Sequence, residues 1–73
     1  MSPSHLPIVS GRKVVRALEK AGFEQLSTRG DHVKLRRDKL RVIVPLHKEI
    51  KRGTMASILA QAHMTAEELR ALL

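Results

Sequence analysis

The sequence contains no cysteine, tryptophan or tyrosine, and its single phenylalanine is the only aromatic residue. The absence of cysteine excludes disulfide bonds, thiolate zinc sites and cysteine nucleophiles. No apolar run approaches the roughly 20 residues that a transmembrane helix requires. The first ten residues contain no basic region followed by an apolar stretch, so we expect no signal peptide and, by default, a cytoplasmic location.

Acidic residues are scarce as well: the 73 residues include 14 Lys and Arg against 7 Asp and Glu, a net charge of +7 at pH 7. A chain of this length forms one domain with one small core. Residues 29–52 contain nine basic and three acidic residues and hold most of the net charge. Such a block indicates a polyanionic partner, most often nucleic acid, although a basic surface without a specific partner is the alternative. The block is not a long amphipathic helix, so no membrane partner is expected.

The first part of the chain predicts a leader, a helix and a sheet. Residues 1–9 carry two prolines and no periodicity, which predicts a flexible leader before a single domain at residues 10–73. Ser10 is suited to cap a helix whose apolar residues recur at helical spacing until Gly22 ends it. Strands are predicted at residues 23–28, 32–37 and 40–44, with Phe23 buried. Short turns join these strands, which indicates an antiparallel meander.

The last part of the chain predicts two helices. Thr54 is positioned to cap the first of them, and His63 lies at its end. Thr65 and Glu68 have the spacing of a capping box at the start of a short final helix. The predicted fold is therefore α+β, in the order helix, three strands, helix, short helix. The helices cover one face of the sheet, and the other face is left for a partner.

The histidines are the candidates for chemistry. They occupy positions 5, 32, 47 and 63, and no two of them have the spacing of a zinc site, so we expect neither a metal nor another cofactor. His32 opens a strand on the same face as Lys34 and Arg36. An RNA held there would place its phosphates beside an imidazole able to act as a general acid or base.

In that reading, Lys34 with Arg36 or Arg37 neutralises the charge that develops on phosphate. The alternative for His32 is a strand-end residue that only hydrogen-bonds phosphate or backbone. For His47, the possibilities are a second acid or base, a phosphate contact, or an ordinary loop residue. The near absence of aromatic residues argues against a base-stacking sheet and favours contact with the RNA backbone and 2′-hydroxyls.

Several motifs, in order, resemble those of the HicA-type toxins of bacterial toxin–antitoxin systems. They are LEKAGF at 18–23, RGDH at 29–32, VIVPLH at 42–47, EIKRGT at 49–54 and ILAQA at 58–62. The resemblance covers about residues 10–73. It implies a fold like that of double-stranded-RNA-binding domains and the activity of a small mRNA interferase, an endoribonuclease whose toxicity depends on the signature histidine. It also implies inhibition by a HicB-type antitoxin protein.

Carried over to this chain, the signature histidine is His32, the expected catalytic residue. Asp31 stands where the family most often has serine, and Val33 where a second histidine often sits; a carboxylate beside His32 can orient it and can also repel phosphate. The expected RNA-binding residues are Arg29, Gly30, Lys34, Arg36, Arg37, Arg41, His47 and Lys48. The alternative functions are a non-catalytic RNA-binding module and a protein-interaction domain whose basic face binds an acidic partner.

Overall fold

The computed structural model describes residues 8–73, and these residues form three helices and a three-stranded sheet. The elements are α1 (Gly11–Lys20), β1 (Glu24–Arg29), β2 (His32–Arg37), β3 (Leu40–Pro45), α2 (Arg52–Ala62) and α3 (Ala66–Leu72). The predicted α+β class and the order of its elements are confirmed. The predicted leader falls mostly outside the described residues, but Val9 packs against the core and accepts a hydrogen bond from the Ile50 N–H at 2.8 Å.

The ends of α1 follow the local signals in the sequence. The Ser10 hydroxyl accepts a hydrogen bond from the Lys13 N–H at 3.3 Å, which caps the helix as predicted. At the other end, Gly22 adopts a φ of 96°, a conformation that other residues rarely take, and the chain turns toward β1. Phe23 lies just before β1, so that strand begins one residue later than predicted.

The sheet is an antiparallel meander in the order β1-β2-β3. In β2, Val33 and Leu35 are buried beneath the helices, and the alternate residues His32 and Lys34 are exposed on the opposite face. The period of two residues in a strand therefore separates an apolar face from a polar face, as the sequence predicts. The pairing of β1 with β2 is interrupted by an irregularity at Leu26, which lies between the paired residues Gln25 and Ser27.

The two C-terminal helices differ in how well the sequence predicts their start. The prediction that Thr54 caps α2 is wrong, because the helix begins at Arg52 and Thr54 lies inside its first turn. Lys51 occupies the capping position and makes no side-chain cap hydrogen bond. The capping box of α3 is confirmed, with both hydrogen bonds between Thr65 and Glu68 present.

The core lies between the helices and the inner face of the sheet. Phe23 is buried as predicted, and the Arg37 guanidinium carbon lies 4.8 Å from the centre of its ring. The fully buried large side chains come from α1, β2, β3, α2 and α3, namely Val14, Leu18, Leu35, Val42, Val44, Met55, Ile58 and Leu69. Every element except β1 therefore contributes to one small core. Within residues 8–73, no helix has both the length and the apolar character needed to cross a bilayer.

The start of α1 packs directly against the chain that leaves β3. The Gly11 N–H donates a hydrogen bond to the His47 carbonyl at 2.9 Å. A Cβ at Gly11 would overlap the Pro45 carbonyl oxygen and would lie 2.8 Å from the Leu46 Cα. Only glycine allows this approach, so the first residue of α1 sets the position of the loop that carries His47.

Replacing Gly11 with alanine is expected to lower the free energy of unfolding by about 1–3 kcal/mol, since the new methyl group overlaps backbone atoms that cannot rotate away. The matched control is Gly53→Ala in the first turn of α2, where a Cβ meets no atom within 4 Å. That change should leave stability equal to the parent or higher by up to about 1 kcal/mol. Urea unfolding followed by circular dichroism measures both, and equal midpoints for the two variants would contradict the close contact at Gly11.

Candidate functional site

One carboxylate lies between two imidazoles at the edge of the open sheet face. Asp31 Oδ1 is 2.9 Å from His32 Nδ1, and Asp31 Oδ2 is 3.2 Å from His47 Nε2. All three side chains are a little more than half exposed, at 55–58%. The contacts use different nitrogens in the two rings, so His32 retains Nε2 and His47 retains Nδ1 for other partners. This group is called the Asp31 cluster below.

Backbone contacts bring the cluster together. Gly30, with a φ of 57°, turns the chain between β1 and β2 and leaves Asp31 and His32 at the start of β2. The Leu46 N–H then donates a hydrogen bond to the Asp31 carbonyl at 2.6 Å. The loop after β3 is therefore attached to the turn before β2, and His47 follows one residue after that attachment.

The open face of the sheet carries three rows of side chains across its strands. Register pairs Arg29 with His32 and His32 with Pro45 in the first row, and Ser27 with Lys34 and Lys34 with Ile43 in the second. The third row pairs Glu24 with Arg36 and Arg36 with Arg41. Cations thus occur in every row, and the first row, which contains His32, lies at the end of the face where Asp31 and His47 are found.

Two shallow grooves meet at His32. The first has a volume of about 420 Å³ and is lined by Ser27, Arg29, His32, Lys34 and Ile43. The second has a volume of about 440 Å³, crosses the edge of β3 toward α2, and is lined by His32, Ile43, Pro45, His47, Gly53, Thr54, Ser57, Ile58 and Gln61. His32 and Ile43 are common to both, so an elongated ligand can pass from one groove to the other over the imidazole.

The expected RNA-binding residues do not all lie together. Arg29, Gly30, Lys34 and His47 surround His32, whereas Arg36 and Arg41 are in the third row, about 13 Å further along the strand. Arg36 is also in contact with the Glu24 carboxylate at 2.6 Å. The Arg41 guanidinium donates to the carbonyls of Asp38 and Leu40. Lys48 is exposed in the loop that follows His47.

Arg37 lies on the helix side of the sheet, away from His32. Its guanidinium donates a hydrogen bond to the Ala21 carbonyl at 2.6 Å and covers the ring of Phe23. The alternation of β2 accounts for this position, because Arg37 shares the parity of Val33 and Leu35. Of the two arginines that the sequence leaves as alternatives, Arg36 is therefore the one on the open face.

The side chains that α2 contributes to the second groove are not among the site residues expected from the sequence. Thr54, Ser57 and Gln61 lie on one face of the helix, and the Gln61 Oε1 accepts a hydrogen bond from the Ile43 N–H at 3.0 Å. The signal was present as a polar stripe at three- and four-residue spacing. The apolar stripe of the same helix dominates its pattern, so the polar stripe by itself does not indicate a site.

The geometry describes a small α+β domain with a cationic open sheet face and an Asp-bridged pair of histidines at its edge. Within residues 8–73 there is no group of three or more side chains able to hold a metal ion. Residues 11–64 match the family model described as the HicA toxin of bacterial toxin–antitoxin systems. Because the match covers most of the chain, the protein belongs to the HicA toxin family. No curated protein is similar enough to the chain to count as a match.

Proposed function

We propose that this HicA family member is an endoribonuclease that acts on mRNA, with His32 as its catalytic residue. The observation that carries the proposal is the position of His32, on the cationic face and at the junction of the two grooves. RNA lying across the face would bring a phosphodiester to an imidazole, a group that serves as a general acid or base. This function also places the protein in the cytoplasm, where its substrate is found.

The reaction requires few catalytic groups on the protein, because RNA carries its own nucleophile, the 2′-hydroxyl. The 2′-hydroxyl oxygen attacks the adjacent phosphorus, the bond from phosphorus to the 5′ oxygen breaks, and a cyclic phosphate and a 5′-hydroxyl result. One proton must leave the 2′-hydroxyl and one must reach the departing oxygen. His32 performs one of these transfers, and Lys34 and Arg29 offset the negative charge of the five-coordinate phosphorus.

Asp31 acts in this scheme as a positioning residue. Its carboxylate lies against Nδ1 of His32, so the ring presents Nε2 to the substrate. The same carboxylate holds His47, which supplies a second imidazole for the other proton transfer or a contact to phosphate. Aspartate at this position therefore serves to orient both rings.

The RNA-binding surface comprises the first two rows of the open face, with Arg36 and Arg41 extending it. No aromatic residue lies on this face, because the only aromatic side chain of the sequence, Phe23, is buried in the core. Recognition must then depend mainly on the RNA backbone and its 2′-hydroxyls, as it does in double-stranded-RNA-binding domains. The family resemblance to that fold supports the same conclusion.

The same face is the proposed binding site of the antitoxin. A toxin of a toxin–antitoxin system has a partner protein, the antitoxin, that neutralises it. A HicB-type antitoxin that covered the open face would block access of RNA to His32. The excess of cations on that face favours a partner with an acidic surface. The inhibitor would then occupy the surface that the substrate uses, and binding of the two would be mutually exclusive.

His32→Ala is expected to lower the rate of RNA cleavage by about 10²–10⁴-fold, since it removes the group that transfers a proton. The matched control is His63→Asn, which removes a histidine at the end of α2, where the backbone is left-handed and asparagine is tolerated. Cleavage of a labelled RNA by purified protein measures both, together with growth arrest on induced expression. Cleavage at the parent rate by His32→Ala would exclude His32 as the catalyst.

In the same assay, Asp31→Asn should lower kcat while KM changes little, because the imidazoles lose their orientation but the cations that bind RNA remain. Asp31→Glu should recover part of the loss. An RNA with a 2′-deoxy sugar at the cleaved position should bind and stay intact. An equal loss of binding and turnover in Asp31→Asn would argue against a positioning role.

Lys34→Ala and Arg29→Ala should each reduce the salt dependence of RNA binding, because each removes a phosphate contact. For single-stranded RNA, the slope of log K against log salt should become shallower by about 0.7 for each variant. Lys13→Ala is the charge-matched control, since Lys13 is exposed on α1 on the other side of the sheet. Binding curves at several salt concentrations provide the slopes, and no difference between Lys34→Ala and Lys13→Ala would count against this RNA-binding face.

Binding of the antitoxin should protect the amides of His32, Lys34 and Ile43 from hydrogen exchange more than those of α1. It should also displace RNA from the protein. A mixture of the toxin with its acidic partner, followed by exchange and mass spectrometry, measures the protection. A stable complex in which RNA still binds would contradict a shared surface.

A further inference from the structure

The two grooves that meet at His32 differ in the chemistry of their walls. Arg29 and Lys34 line the first groove, whereas no Lys, Arg, Asp or Glu side chain among residues 8–73 lines the second. The second groove instead presents the hydroxyls of Thr54 and Ser57, the amide of Gln61 and the imidazole of His47. Phosphate favours the first set of groups, and a neutral group with hydrogen-bonding edges favours the second.

The backbone determines which end of the Gln61 amide is available. The Ile43 N–H points out of the sheet edge and donates to Gln61 Oε1 at 3.0 Å. A backbone N–H can be satisfied only by an acceptor, so the oxygen must face β3 and the NH₂ group remains for a ligand. Among residues 8–73, no acceptor is paired with that NH₂ group. The groove therefore offers a fixed donor that selects a ligand with an acceptor at this position.

Aliphatic side chains form the apolar part of the groove. Ile43 is 46% exposed at the boundary between the two grooves and supplies most of this surface, since Pro45 and Ile58, which also line the second groove, are buried. A planar ring with polar edges would cover this apolar surface and still reach Gln61 and Ser57. His32 lies at the boundary with the cationic groove, and the phosphate of the same RNA strand would lie against it.

We propose that the groove beside α2 is a nucleobase subsite, which selects the RNA base adjacent to the phosphate at His32. This inference rests on the proposed function, because that function places the phosphate of the RNA strand at His32 and so sets the path of the strand past the groove. It assigns specificity to Gln61 and Ser57, and general affinity to Arg29 and Lys34. Gly53 provides the open floor of the subsite, because a Cβ at that position meets no atom within 4 Å.

The test is the binding of four tetranucleotides, of A, C, G or U, each with 2′-O-methyl sugars that prevent cleavage. For the parent protein, the tightest and weakest dissociation constants should differ about tenfold, the factor associated with one well-formed hydrogen bond. Backbone amide resonances from Thr54 to Gln61 should shift by amounts that depend on the base. Titration followed by NMR measures both quantities.

Three variants separate the subsite from the cationic groove. Gln61→Glu keeps an acceptor for the Ile43 N–H but removes the NH₂ donors, and it should reduce the difference among the four bases to about twofold. Gly53→Leu should obstruct the groove and have the same effect on base preference. Lys34→Ala should weaken all four tetranucleotides alike, since it contacts phosphate. Slow exchange of the Ile43 amide in Gln61→Glu verifies that β3 is still held.

Equal affinity of the parent for all four bases, or an unchanged preference in both Gln61→Glu and Gly53→Leu, would overturn the subsite. The proposed function can fail independently: a parent that binds with base preference but cuts no natural RNA would retain the subsite and lose the endoribonuclease. A parent that cleaves RNA but binds the four tetranucleotides equally would retain the endoribonuclease and lose the subsite. The binding experiment does not depend on turnover, so the two failures are distinguishable.

Discussion

The contact between the first residue of α1 and the loop after β3 is the constraint on which the site depends. Gly11 has no side chain, so its backbone can approach Pro45 and donate a hydrogen bond to the His47 carbonyl. A second backbone hydrogen bond, from Leu46 to Asp31, attaches the same loop to the turn before β2. Together they bring His47 to the carboxylate that also contacts His32, although the two histidines are fifteen positions apart in the sequence.

Because successive side chains of a strand point to opposite faces of the sheet, the basic residues of positions 29–52 serve two functions. On the open face, Lys34 is exposed in the row next to His32, and Arg36 is half-buried one row further along the strand. On the opposite face, Arg37 covers Phe23 and binds the carbonyl at the end of α1, so that one cation of the block stabilises the core. A high positive charge and a small core are thus compatible, because residues of one parity face the polar side and those of the other face the helices.

The position of α2 extends the site beyond the sheet. β3 is an edge strand, and its Ile43 N–H would have no partner in the sheet. Gln61, on α2, accepts a hydrogen bond from that N–H, so the polar face of the helix lies alongside the edge of the sheet. The groove between this edge and the polar face of α2 is lined by no Lys, Arg, Asp or Glu side chain from residues 8–73, in contrast to the cationic groove on the sheet. In the proposed subsite, the side chain that satisfies the exposed edge is also the one that distinguishes among ligands.

The sequence alone determined the α+β class, the order of the elements, the caps at Ser10 and Thr65, and the placement of His32 at the start of a strand. These features depend on local patterns, namely the period of two residues, the turn residues and the capping signals. The contact of His47 with Asp31, the inward position of Arg37 and the role of Gln61 required the tertiary structure. Each depends on packing between elements far apart in the chain, which local sequence patterns do not encode.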